Sequence, residues 1–152
     1  MEKEQKSQNI HIVLARSYMM YFIFSVIGLW VDSYISIDFP FKLATYASYA
    51  LFIIGPLLIL WAQLSSRKFE KRKDVKKHFY YGPYAFLRNP THLGLLLLVA
   101  GYTFVSGSVI FFATTLISYL LSSFFYKQHE EILHSTYGDV YYDYKKKVKK
   151  IL

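Results

Sequence analysis

Four apolar blocks, each bounded by charge or by a helix-breaking residue, limit what this chain can fold into. They run from Ile10 to Ile37, from about Phe41 to Leu64, from Pro90 to Val105 and from Val109 to Tyr126. A soluble core spreads its apolar residues thinly along amphipathic elements; here they are concentrated. At 1.5 Å per residue, a run of about 20 residues crosses the ~30 Å hydrocarbon layer. In lipid every backbone polar group must be satisfied within its own element, so such blocks become helices. The expectation is an all-α integral membrane protein forming a single domain over residues 1–152. It has about four transmembrane helices, at 17–37, 41–64, 90–106 and 108–126, with a loop at 65–89 and a tail at 127–152. The last two helices form a hairpin that follows Arg88-Asn89-Pro90.

The first block exceeds a signal-peptide core and no small-residue cleavage site follows it, so it reads as a retained helix. Its register is open. It spans Ser17 to Ile37 with Asp32 near the outer end, or it starts near Ile10 with Arg16 snorkelling to the surface. Asp32 is either an interfacial carboxylate or a functional one. Gly55-Pro56 falls in the middle of the second helix and is expected to kink it. The third helix is short for a full span, which implies tilt, shallow placement or local thinning. Gly94, Ala100, Gly101 and Gly107 are expected to let the hairpin helices approach closely. The tail reads as two helical pieces broken at Gly138, amphipathic through Tyr141, Tyr142, Tyr144 and the closing lysines.

Charge sets the topology. Eighteen Lys and Arg against ten Asp and Glu give a net charge of +8. Arg67, Lys68, Lys71, Arg72, Lys73, Lys76 and Lys77 crowd the central loop, and Lys145, Lys146, Lys147, Lys149 and Lys150 close the chain. The connections on the other side carry only Lys42. The positive-inside rule then places both termini, the loop and the tail in the cytoplasm. Cations that flank apolar blocks fit anionic lipid headgroups. A nucleic-acid partner is not expected, because no aromatic residues interleave with these bases at a stacking spacing. With no cysteine there is no disulfide and no thiolate metal site, and the histidines show no metal-ligand spacing.

The stretch with the most chemistry runs from Tyr80 to Gly94. Gly82-Pro83 marks a turn, and Pro90 suits the first turn of the helix after it. Gly82-Pro83-Tyr84 followed by Arg88-Asn89-Pro90-Thr91-His92-Leu93-Gly94 resembles the G-P-Y-x-x-x-R-H-P-x-Y-x-G signature of the isoprenylcysteine carboxyl methyltransferases. That family is similar in its C-terminal half to phospholipid N-methyltransferases. A second half-signature comes next in order: Glu130-Glu131, then Tyr137-Gly138, Tyr141 and Tyr144 through Val148. The resemblance covers roughly Phe69 to Val148. It implies an integral-membrane, S-adenosylmethionine-dependent methyltransferase acting on a lipid or prenylated acceptor at the cytoplasmic leaflet. It also implies cofactor contacts at Lys77, His78, Phe79, Tyr84, Asn89, Pro90, Thr91, His92 and one of Glu130 and Glu131.

The chemistry of that cofactor fits these residue types. Its ammonium and ribose hydroxyls need acceptors, which Glu130 and Glu131 can supply. Its carboxylate needs donors, available from Arg88, Asn89, His92 and the N–H groups that open a helix. Tyr84, Phe79 and Phe86 can enclose the adenine. Methyl transfer needs alignment of nucleophile and methyl group more than a covalent intermediate, so no catalytic base is assigned. This chain departs from the pattern in several places. Asn89 stands where the family often has His, and His92 where it has Tyr. The His92 ring is either a proton acceptor or a replacement for one aromatic by another. The spacing from Glu130 to Gly138 is one residue short, so His129 and Glu130 can take the places of the paired glutamates. The arginine that precedes the glutamates in the prenylcysteine enzymes has no counterpart among Phe125, Tyr126 and Lys127. Two other readings stand beside this one. Sterol-type reductases that use NADPH carry a similar R-H-P-x-Y element, generally with more helices. A non-catalytic protein docking on acidic lipid through its lysines is the other.

Overall fold

The computed structural model describes residues 2–39, 45–69 and 80–148. Five helices account for most of them: α1 (Glu2–Asp32), α2 (Thr45–Phe69), α3 (Pro90–Ser106), α4 (Val109–Tyr137) and α5 (Asp139–Lys147). A 3-10 turn at Gly82–Ala85 precedes α3. The described residues contain no strand, only an isolated bridge between Asp38 and Ser108.

The helices pack as two antiparallel pairs, α1 with α4 and α2 with α3. Glycine sets the approach within each pair. An added Cβ at Gly28 on α1 would meet Thr114 and Phe111 of α4. Gly55 of α2 lies against Gly94 and Leu98 of α3, and Gly101 of α3 lies against the Phe52 backbone. Gly94 and Gly101 thus serve α2–α3 packing, rather than the α3–α4 hairpin expected from their place in the sequence. Between helices in lipid there is no hydrophobic gain to be had, so close backbone contact of this kind supplies much of the attraction.

α2, over Tyr46–Ser66, and α4 are long and apolar enough to cross a membrane. Only 17% and 28% of their apolar windows are buried inside the protein, whereas the core helix of a soluble protein would be mostly buried. Their outer faces carry Ile53, Leu57, Leu60, Leu64, Leu116, Leu120 and Phe124, all exposed. An apolar surface this continuous belongs against lipid.

Several boundaries differ from expectation. α1 is helical from Glu2, well before residue 17, and ends at Asp32. α4 continues past Tyr126 to Tyr137, because Lys127 to Thr136 contains no Gly or Pro to stop it. The break at Gly138 stands as expected: φ is 53° there, where glycine meets no steric penalty. α2 is helical through Pro56 without interruption.

One end of the bundle is tied by the α3–α4 turn. Gly107, at φ 73°, closes α3 with its N–H donating to Thr103 O. The Ser108 hydroxyl accepts from Phe111 N (3.0 Å), which caps α4, and donates to Asp32 Oδ1 (2.5 Å). Phe39 N donates to Gly107 O, and Val109 N to Ile37 O. Asp32 is therefore a structural carboxylate at the end opposite the Gly82–Asn89 segment. Ser108→Ala removes both hydroxyl bonds and is expected to cost about 1–2 kcal/mol. The check is thermal unfolding in detergent, with Ser108→Thr, which keeps a hydroxyl, retaining most of the wild-type stability.

Candidate active site

The other end of the bundle carries the Tyr80–Asn89 segment, and its shape comes from two sequence features. Gly82 holds φ 60° and has no room for a side chain, since a Cβ would overlap Ser65 near the end of α2. Pro83 then offers its carbonyl to the N–H groups of both Phe86 and Leu87, at 3.2 and 2.9 Å. Asn89 sits outside the helix at φ −135°, and Pro90 opens α3 where its missing N–H costs nothing. Thr91 and His92 consequently lie in the first turn, where backbone N–H groups lack intrahelical partners and the helix dipole is positive.

Side chains from three other elements close on this first turn. The Thr91 hydroxyl is within hydrogen-bonding reach of Tyr84 and of Tyr18 on α1. Burial pushes the Tyr84 phenol above its ordinary value, and the Thr91 bond partly offsets this. His92 is buried and its Nε2 lies 3.3 Å from the Tyr21 hydroxyl. Its ring is surrounded by Tyr21, Tyr119 and Tyr126, at centroid distances of 5.4, 6.4 and 6.1 Å. His92 is thus packed among aromatic rings, with its Nε2 beside the Tyr21 hydroxyl.

Tyr126 links this cluster to the end of α4. Its hydroxyl donates to Glu130 Oε1 at 3.1 Å. Arg88 Nη1 bonds the same oxygen at 3.0 Å, and Lys145 Nζ lies 2.9 Å from Oε2. Burial raises the carboxyl pKa, but Lys145, the Tyr126 hydroxyl and the Arg88 charge outweigh it and leave Glu130 below the usual carboxylate range. Arg88 also donates through Nε to Val148 O at 2.8 Å. The Tyr144 hydroxyl donates to Tyr84 O at 2.7 Å. Burial pushes the Tyr144 phenol up, with the neighbouring Tyr141 adding to the shift.

The two polar stretches singled out in the sequence, some forty residues apart, therefore meet at one end of the bundle. Tyr84, Asn89, Pro90, Thr91, His92 and Glu130 are brought together. Glu131 is exposed, while its neighbours His129 and Glu130 are turned inward. His129 and Glu130 straddle the inward face of α4, and Glu131, a further ~100° round the helix, turns out of it. Phe86 is 71% exposed and takes no part in the aromatic cluster. Lys77, His78 and Phe79 lie outside the described residues. Sequence reasoning missed Tyr18 and Tyr21, which share one face of α1 at i, i+3, and it missed Lys145, which reads as one cation in a basic tail.

The family model for phospholipid methyltransferases matches residues 43–140. That span contains α2, the Gly82–Asn89 turn, α3, α4 and every site residue named from the sequence; it leaves out α1 and nearly all of α5. No curated protein and no solved structure matches the chain. With more than half its length matched, and with both signature stretches gathered at one end of an apolar helical bundle, this chain belongs to the phospholipid methyltransferase family.

Proposed function

We propose that this protein is an integral-membrane methyltransferase that uses S-adenosylmethionine to methylate a lipid or other lipophilic acceptor at the cytoplasmic leaflet. The observation that carries the reading is the junction of the α3 first turn with the end of α4, through His92–Tyr126 and Arg88–Glu130. Four spans, within α1, α2, α3 and α4, with both termini cytoplasmic, would present this junction to a cytosolic methyl donor. The exposed lysines of the tail would rest on anionic headgroups.

The residues present fit such a donor. The first turn of α3, where the helix dipole is positive, suits its carboxylate together with the Asn89 amide. The inward Glu130, rather than the exposed Glu131, is the carboxylate we assign to its hydroxyls or ammonium. Tyr84 and His92, with Lys77, His78 and Phe79 of the preceding segment, would complete the walls. When bound, the sulfonium supplies an electrophilic methyl group. The chain's contribution is to hold the acceptor in line and to keep water out, which is where most of the rate enhancement of such a displacement arises.

Protein purified into phospholipid nanodiscs and given S-adenosylmethionine labelled in its methyl group should transfer label into the organic extract. Asn89→Leu and Thr91→Val should each reduce transfer by about tenfold, the loss of one charge-assisted contact. A protein that binds NADPH tightly and shows neither binding of S-adenosylmethionine nor label in the extract would reverse the reading in favour of a reductase.

A further inference from the structure

The family match stops at residue 140, just inside α5, yet part of the site is built from residues 141–148. Tyr141, Tyr144 and Val148 occupy one face at i, i+3 and i+7 and form a buried cluster with Leu133 of α4. A nine-residue helix is too short to be stable by itself, so its order comes from its contacts. Those contacts end on the walls of the candidate site. Tyr144 bonds the Tyr84 carbonyl, and its ring meets the Tyr80 ring edge-on at 5.5 Å. Lys145 bonds Glu130, and Val148 O receives Arg88 Nε.

The two cations on Glu130 are not equivalent. Arg88 and Glu130 are 12% and 11% exposed, whereas Lys145 is 44% exposed. Arg88 is fixed by its second bond to the Val148 carbonyl. Lys145 reaches the carboxylate from the solvent side, on an element that the rest of the bundle does not enclose.

We propose that α5 is a latch on the methyl-donor site, with Tyr144 and Lys145 as its positioning residues. Tyr144 fixes the backbone of the Tyr84–Leu87 turn. Lys145 fixes the Glu130 carboxylate against Arg88 and Tyr126. The inference rests on the methyltransferase reading and adds to it a role for residues beyond the family match. A latch of this kind acts on the binding of the soluble donor and leaves the alignment of the lipid acceptor largely untouched.

The test uses the full chain in nanodiscs of mixed phospholipid, with S-adenosylmethionine as the varied substrate and calorimetric binding of the same compound in parallel. Lys145→Ala and Tyr144→Phe are each expected to raise KM and Kd for the donor about fivefold, with kcat within about twofold. Lys145→Arg should restore most of the loss. Lys146→Ala, whose native ammonium lies 4.3 Å from the Tyr142 ring centroid, should change neither constant. Raising ionic strength from roughly 0.05 to 0.5 M should raise the donor KM of the wild type and leave that of Lys145→Ala unmoved, since the bond is screened by salt. Tyr144→Phe deletes one oxygen without changing the packing, which guards against simple misfolding. If the wild type binds the donor while Lys145→Ala and Tyr144→Phe bind it equally well, the latch is wrong and the methyltransferase reading stands. The latch is equally wrong if Lys145→Arg is no better than alanine. If the wild type does not bind the donor at all, both fall.

Discussion

Glu130→Ala is expected to lower thermal stability by about 5–10 °C and to leave no measurable methyl transfer. The carboxylate holds two cations, Arg88 Nη1 at 3.0 Å and Lys145 Nζ at 2.9 Å, and also accepts from Tyr126. Its removal leaves those charges facing each other. Lys145 can swing into water at little cost. Arg88 cannot follow, because its Nε is bonded to Val148 O and its side chain is largely enclosed. Stranding one partner of an enclosed ion pair costs on the order of 3 kcal/mol, which corresponds to a shift of several degrees for a chain of this size. Glu130→Gln keeps the volume and one acceptor oxygen and should fall in between. Glu131→Ala, at an exposed position one residue along, should melt with the wild type. Removing Glu130 and Arg88 together should cost less than the sum of the single changes, because the stranded cation goes with its partner. Wild-type melting of Glu130→Ala would mean that the carboxylate does not hold the end of the bundle together.

How much of this was legible in the sequence depends on the kind of signal. The helices were readable because apolar blocks of that length have one solution in lipid, and the Gly82-Pro83 and Gly138 breaks were readable because glycine and proline act locally. The ends of α1 and α4 were not. Residues 2–9 and 127–137 are largely polar but helix-forming, and hydropathy reports where a helix meets lipid rather than where it stops. The meeting of Asn89–His92 with Glu130 was legible as a pair of ordered motifs. Which of the tandem glutamates faces inward was not, because the answer depends on the rotation of α4 against α1 and α3. The role of Tyr18 and Tyr21 was hidden for a similar reason: tyrosine in an apolar helix looks the same whether it meets lipid, an interface or a threonine hydroxyl.

The same limit applies to helix pairing, and there the consequence for stability is large. Gly94 and Gly101 lie on the hairpin with α4, yet they face α2, and Gly55 beside Pro56 is the reciprocal contact. A Cβ at Gly55 would stand 2.6 Å from both the Gly94 carbonyl and the Leu98 amide nitrogen. A Cβ at Gly94 would stand 2.8 Å from the Gly55 carbonyl. These are backbone atoms, so no side chain can rotate away and the helices themselves must separate. Gly55→Ala and Gly94→Ala should each cost about 2–3 kcal/mol, in the range of overpacking a tight core, despite the better helix propensity of alanine. Leucine at either position should abolish the folded, monodisperse species. Ala50→Leu, on an exposed part of the same helix, should have no effect on melting or on yield. The measurement is the melting temperature and chromatographic profile of each variant in mild detergent. Wild-type melting of Gly55→Ala and Gly94→Ala would show that α2 and α3 stand farther apart than the glycine contacts require. The base on which α3 presents Asn89 to His92 would then have to be sought in the α1–α4 pair instead.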